Sequence, residues 1–150
     1  MRARTFVLFS AAAAALITLA ACSSSSSAAA PASGSSSGSN KITIGSDQAN
    51  DHGTQDATGK TTFEIEADND DGFYFNPTIL TGSANQSITL EIKNEGTVPH
   101  NFSIESLNVN VTIAPGSSQE VQVTFPASGT TEFFCSFHRS QGMAGELQIA

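Results

Sequence analysis

The sequence predicts an all-β protein built as a Greek-key β-sandwich, and three observations carry that prediction. From residue 60 onward, apolar residues recur at every second position in short runs, the spacing of strands that bury one face. The runs are separated by the turn-forming clusters Asn94-Glu-Gly, Ala114-Pro-Gly-Ser and Pro126-Ala-Ser-Gly, at the intervals of a sandwich. No part of residues 60–150 carries the 3.6-residue period of a long helix.

Taken in order, Phe63, Ile65 and Ala67 define the first run, and Ile88, Leu90 and Ile92 the next. Phe102 and Ile104, then Val109, Val111 and Ile113, then Val121, Val123 and Phe125 continue the alternation, and Leu147 and Ile149 close it. One apolar face per strand implies two antiparallel sheets stacked about 10 Å apart over a core of Phe, Ile and Val. Residues 60–150 are long enough for one domain with a modest core.

The chain before residue 60 reads differently. Met1-Arg-Ala-Arg4 is a basic start, residues 5–21 are apolar and alanine-rich, and Leu19-Ala20-Ala21-Cys22 ends the stretch with small residues, the pattern of an export signal over residues 1–21. The stretch is short and weakly apolar for a membrane-spanning helix. Leu-Ala-Ala-Cys resembles the lipobox of bacterial lipoproteins, which implies that Cys22 becomes the lipid-modified first residue of the mature chain. An ordinary secretory cut nearby is the alternative. Either way the protein is expected outside the cytoplasm, as a cell-membrane lipoprotein facing the periplasm or the exterior in the first case.

Residues 22–59 are expected to be a lipid-anchored linker. From Ser23 to Ser39 every residue is Ser, Ala, Gly or Pro, which cannot bury apolar surface. Residues 41–59 add Ile42 and Ile44, enough for a brief edge strand, before a polar run without periodicity. As a flexible coil, residues 23–59 reach about 35 Å; a glycosylated or wall-crossing stalk fits the composition equally. His52 lies in this stretch and is expected to be solvated. The acidic Asp68-Asn-Asp70-Asp71 lacks the spacing of a calcium loop and reads as a solvated turn.

Loss of Arg2 and Arg4, two positive charges, takes the formal net charge from −8 to −10. No basic patch remains for nucleic acid, and association with basic partners is favoured at low salt. With Cys22 lipidated, Cys135 is the lone thiol of the exported chain, which calls for a role such as metal ligation.

Cys135-Ser-Phe-His138-Arg-Ser-Gln-Gly-Met143, with His100 after Pro99, supplies one thiolate, two imidazoles and one thioether. Soft sulfur and borderline nitrogen donors suit copper in both oxidation states, whereas a thioether has little affinity for zinc, calcium or magnesium. A short loop can bring several donors to one side of a metal, and His100, on a separate strand behind a rigid proline, can close the other.

A histidine followed by a final hairpin into Cys-x2-His-x4-Met resembles the cupredoxins, in particular the small blue-copper proteins related to plastocyanin, pseudoazurin and amicyanin. Phe75-Asn-Pro-Thr-Ile-Leu, Asn94-Glu-Gly-Thr-Val-Pro-His-Asn-Phe and Phe133-Phe-Cys-Ser are similar to strands of that family. The resemblance covers residues 60–150. It implies one type 1 mononuclear copper held by His100, Cys135 and His138 with Met143 as a weak axial ligand. It also implies that Asn101 and Ser136 tie the two ligand loops together. Phe73, Tyr74, Phe75, Phe137 and Ala144 are candidates for a water-excluding shell, and Phe137, Gly142, Ala144 and Gly145 for an apolar docking patch that Arg139 would interrupt.

The function implied is a membrane-tethered carrier of single electrons, exchanging with a cytochrome, an oxidase or another copper protein. The electron would pass near His138, with Phe134 marking a second route. A monomer is expected. Copper storage or delivery to an exported copper enzyme is the alternative, and copper exchange rate discriminates the two. No catalytic residue is expected: copper oxidases and nitrite reductases of this kind need further histidines, and the chain holds only His52 besides the two ligands.

Overall fold

The computed structural model describes residues 40–150, so the expected export signal over residues 1–21, Cys22 and the stretch from Ser23 to Ser39 lie outside the described residues. Twelve strands follow one another: β1 (Lys41–Ile44), β2 (Asp47–Asn50), β3 (Thr54–Asp56), β4 (Thr62–Asp68), β5 (Tyr74–Asn76), β6 (Ile79–Gly82), β7 (Ser87–Asn94), β8 (His100–Ile104), β9 (Val109–Ile113), β10 (Ser118–Thr124), β11 (Thr130–Phe134) and β12 (Ala144–Ile149). Two single 3-10 turns, Glu105–Leu107 and Arg139–Gln141, are the helical content of the described residues.

A four-stranded sheet runs β10-β7-β4-β5 and a six-stranded sheet β3-β6-β12-β11-β8-β9, while β1 and β2 pair as a separate hairpin. The alternation read from the sequence is what closes the sandwich. Ile65, Ala67, Ile88, Leu90, Ile92, Val121 and Val123 turn in from the smaller sheet against Leu80, Phe102, Ile104, Ile113, Phe133 and Leu147 from the larger. At the centre Phe75 meets Phe102 and Phe133 edge-on at centroid distances of 5.7 and 5.3 Å. Such pairs contribute about 0.5–1.5 kcal/mol beyond area burial.

The sheets are mixed, not purely antiparallel as the alternation implied. β4 pairs with β7 in parallel, and β6 runs parallel to both β3 and β12. The reason is topological. After β5 the chain crosses between sheets within Pro77 and Thr78, lays down β6 in the larger sheet, and returns to the smaller one as β7, so β4 and β7 enter side by side in the same direction. Alternation of side chains is identical in parallel and antiparallel strands and does not record that choice.

Residues 41–59, expected as linker, are folded. β1 and β2 form a hairpin closed by Gly45-Ser46, with Gly45 at φ +56° as a two-residue turn with glycine first requires. Its Ile44 and Ala49 are buried against Phe134 and Ala144 on the outer side of the six-stranded sheet. β3 extends that sheet beside β6, and Ala57 enters the main core. The hairpin escaped the sequence reading because Asp47-Gln-Ala-Asn offers one small apolar residue, and β3 is fully exposed and polar.

Candidate metal centre

Three elements of the six-stranded sheet meet at one end: β8 begins at His100, β11 ends just before Cys135, and β12 begins just after Met143. The antiparallel register of β8 and β11, with Ser103 opposite Phe134, sets His100 beside the ligand loop. The loop is wound tightly. His138 N–H donates to Cys135 O at 3.1 Å, Gln141 N–H to His138 O at 2.9 Å, and Cys135 N–H to Met143 O at 3.0 Å. Gly142, at φ +102°, ends the 3-10 turn in a left-handed conformation that glycine adopts without strain.

The fold thereby brings the donor atoms of His100, Cys135 and His138 within 4.8 Å of one another. Cys135 and His100 are fully buried and His138 is partly exposed. Cys135 is a free thiol, and its Sγ lies 3.5 Å from His138 Nδ1. The two imidazoles are edge-on at 5.2 Å. Met143 is fully buried in the same apolar cluster as Cys135.

His100 is the telling residue, because both of its ring nitrogens are buried without a hydrogen-bond partner. Leaving a buried polar group unsatisfied costs about 1–3 kcal/mol, so an orphaned imidazole beside a thiol and a second imidazole fits a metal ligand. Burial pushes the His100 imidazole down to about 4, helped by neighbouring His138 and opposed by Asp68, and burial also lowers His138. Both rings are therefore neutral near pH 7, the form that ligates metals.

Asn101 joins the two ligand segments. Its backbone N–H donates to Cys135 Sγ at 3.2 Å, and its side-chain Oδ1 accepts from Ser136 N–H at 3.1 Å and from Ser103 Oγ at 2.6 Å. The same amide donates to Asn110 Oδ1 and Val111 O. Phe73 covers the site, stacked on His138 at 4.0 Å and edge-on to His100 at 6.2 Å. Phe75 backs it from the core cluster.

Other shell candidates sit elsewhere. Tyr74 points away, stacked on His52 at 3.4 Å and donating its hydroxyl to Asp70 at 2.6 Å; burial and the Asp70 and Asp68 carboxylates push its phenol well above the usual range. His52 is thus half-buried and stacked, not solvated as expected of a linker residue. Phe137 is 52% exposed, and Ala144 belongs to the hairpin cluster. Phe134 is covered by that hairpin and by the Arg139 guanidinium 4.0 Å above its ring. Arg139 is itself held by Asp47 and Glu132.

Sequence reasoning missed the polar support. Asn69 Oδ1 accepts from Thr97 N–H, and Asn94 accepts from Gly96 N–H while donating to Val98 O and Ile113 O, which fixes the loop before His100. A Cβ on Gly96 would lie 2.2 Å from Asn69 Oδ1 and 2.9 Å from His100 Nε2. Asn94 opened a turn signal in the sequence, but nothing local pointed to its role.

A profile of the cupredoxin-like domain matches residues 11–148 of this chain. The chain belongs to the cupredoxin-like family. Plastocyanin A/B of Petroselinum crispum is 30% identical over 97 residues, which cover 57% of this chain and 98% of the plastocyanin. The sodium-dithionite-reduced auracyanin of Roseiflexus castenholzii superposes with a TM-score of 0.51 at 25% identity, over 61% of this chain and 98% of the auracyanin. Auracyanin B shares the fold at a TM-score of 0.51 and 22% identity, over 63% of this chain and 89% of its own. Membership of the cupredoxins assigns a single type 1 copper as cofactor and copper-based electron transfer as the general function, and the soft, water-poor donor set found here fits that ion.

Proposed function

We propose that this cupredoxin is an exported, membrane-tethered carrier of single electrons, in which His100, Cys135 and His138 would hold the copper and Met143 would be its weakest ligand. The orphaned, buried ring of His100 beside the Cys135 thiol and His138 supports this reading most directly. When bound, copper supplies the one-electron couple between Cu(II) and Cu(I). The chain's contribution is a fixed setting: Asn101 fastens the Cys135 sulfur to β8, Phe73 keeps water from the imidazoles, and the wound loop holds His138 and Met143 at set positions. Ligands that keep one arrangement in both oxidation states allow fast exchange.

His138 is the exit. It is the partly exposed donor, flanked by exposed Phe137, while His100 and Cys135 are fully buried. Partners of the kind expected, a cytochrome, an oxidase or another copper protein, would offer basic surface to a processed chain whose net charge falls from −8 to −10 with the loss of Arg2 and Arg4. Cys22 would tether the mature protein as a monomer at the cell membrane.

Copper delivery is the less supported reading, since buried donors favour slow release. The discriminating experiment mixes the reduced, copper-loaded protein with a Cu(I) chelator and, separately, cycles it between ferricyanide and ascorbate. A carrier retains its copper through many cycles and yields it slowly; prompt, stoichiometric transfer to the chelator would establish delivery instead. A tagged fatty acid fed to expressing cells should label the wild type and not Cys22→Ser, and a wild type that takes up no label would contradict the lipid tether.

A further inference from the structure

We propose that the β1–β2 hairpin is a clasp on the ligand loop and that Asn50 is the positioning residue through which it acts; the inference rests on the ligand assignment above. Asn50, at the end of β2, is 4% exposed and makes four hydrogen bonds to three distant segments. Its Nδ2 donates to Phe73 O at 2.9 Å and to Gln141 O at 3.1 Å. Its backbone N–H donates to Gly142 O at 2.9 Å, and its backbone O accepts from Thr78 Oγ1 at 3.1 Å.

The groups it binds flank the site. Phe73 carries the ring stacked on His138, and Gln141-Gly142 is the stretch that returns the chain from His138 to Met143. A Cβ on Gly142 would lie 2.7 Å from Asn50 Nδ2, so the loop and the asparagine interlock with no room between them. Carbonyls at the end of a 3-10 turn have no partner within the turn, and Asn50 satisfies one with its side chain and the next with its backbone.

The remainder of the hairpin follows the same pattern. Asp47 accepts from Arg139 Nε at 2.6 Å, one residue after His138. Ile44 and Ala49 pack against Phe134, one residue before Cys135, and Ala144, one residue after Met143. Residues adjoining Cys135, His138 and Met143 are therefore each held by this one element. Groups that orient ligands from behind typically alter metal affinity 10–100-fold when removed, because the donors lose their fixed position.

The test compares copper-loaded wild type with Asn50→Ala, with Asn50→Asp, which keeps the volume but presents a carboxylate to the Phe73 and Gln141 carbonyls, and with Gln48→Ala. Gln48 is an exposed residue of the same strand that bonds only to Thr43. Both Asn50 variants should change the copper–thiolate spectrum, shift the reduction potential beyond the Gln48→Ala scatter, and release Cu(I) to a chelator about tenfold faster. Asp47→Asn should move the same readouts in the same direction by less, and it keeps the test open if the Asn50 variants do not fold. Wild-type spectrum, potential and release rate in every variant that folds, even one that melts earlier, would overturn the clasp. A wild-type protein with no copper–thiolate band would instead overturn the ligand assignment, and the clasp with it.

Discussion

Asn101 and Cys135, 34 positions apart in sequence, are joined by a backbone N–H that donates to the thiol sulfur at 3.2 Å, while the Asn101 side chain binds the N–H of Ser136 next door. One residue thus fastens β8 to the ligand loop through both its backbone and its amide. The backbone donor is kept by every substitution but proline, whereas the amide bonds are lost with the side chain.

Asn101→Ala should therefore lower the stability of the copper-free protein by about 1–3 kcal/mol, since Ser136 N–H, Ser103 Oγ and Asn110 all lose a partner. Denaturant unfolding of the copper-free protein measures this. Asn110→Ala, which leaves the Asn101 bonds to Ser136 and Ser103 in place, should cost less.

Gly96→Ala tests the packing behind His100. Its added methyl meets Asn69 Oδ1 and His100 Nε2 at distances that real contacts do not reach, so the loop must shift. A loss of about 1–3 kcal/mol is expected, together with weaker copper binding, read by calorimetric titration of the copper-free chain. Unchanged affinity and stability would show that the loop yields freely.

Phe73→Ala removes the ring stacked on His138 and opens the site to water. Water stabilises the more highly charged Cu(II) state, so the reduction potential should fall. Spectroelectrochemical titration checks the sign.

His52 gives a pH dependence away from the site. Burial lowers its imidazole below the ordinary value of 6.5, against the opposing pull of Asp71, Asp51, Asp70 and Asp68. As pH falls through that value the unfolded chain takes up a proton before the folded one, so the fold loses stability until the folded imidazole also protonates. His52→Phe keeps an aromatic ring on Tyr74 and removes the titration; its unfolding free energy should change less than that of wild type between about pH 7 and about pH 5. Parallel profiles would contradict the assignment.

The parts that were legible in the sequence are those whose physics is local. Ile88, Leu90 and Ile92 alternate because β7 buries one face, and all three are buried. Cys135 and His138 stand out by donor chemistry within one loop and His100 by following a proline, and the fold brings the donor atoms of these three together. What was hidden depends on distant partners. β3 is polar because it is an exposed edge, and Asn50 looks like any turn asparagine until Gln141, 91 positions away, is seen to accept its amide. Parallel pairing of β4 with β7 follows from a crossover that no side-chain alternation encodes.

The central claim is that Cys135 and its two histidines form a copper–thiolate centre, and the visible spectrum tests it most directly. The chain, titrated with one equivalent of Cu(II), should develop an intense blue or green band that ascorbate bleaches and ferricyanide restores. Met143→Leu should keep the band and raise the potential, and Cys135→Ala should abolish the band. A folded wild type that takes up copper without that band, or a Cys135→Ala chain that remains blue, would contradict the account.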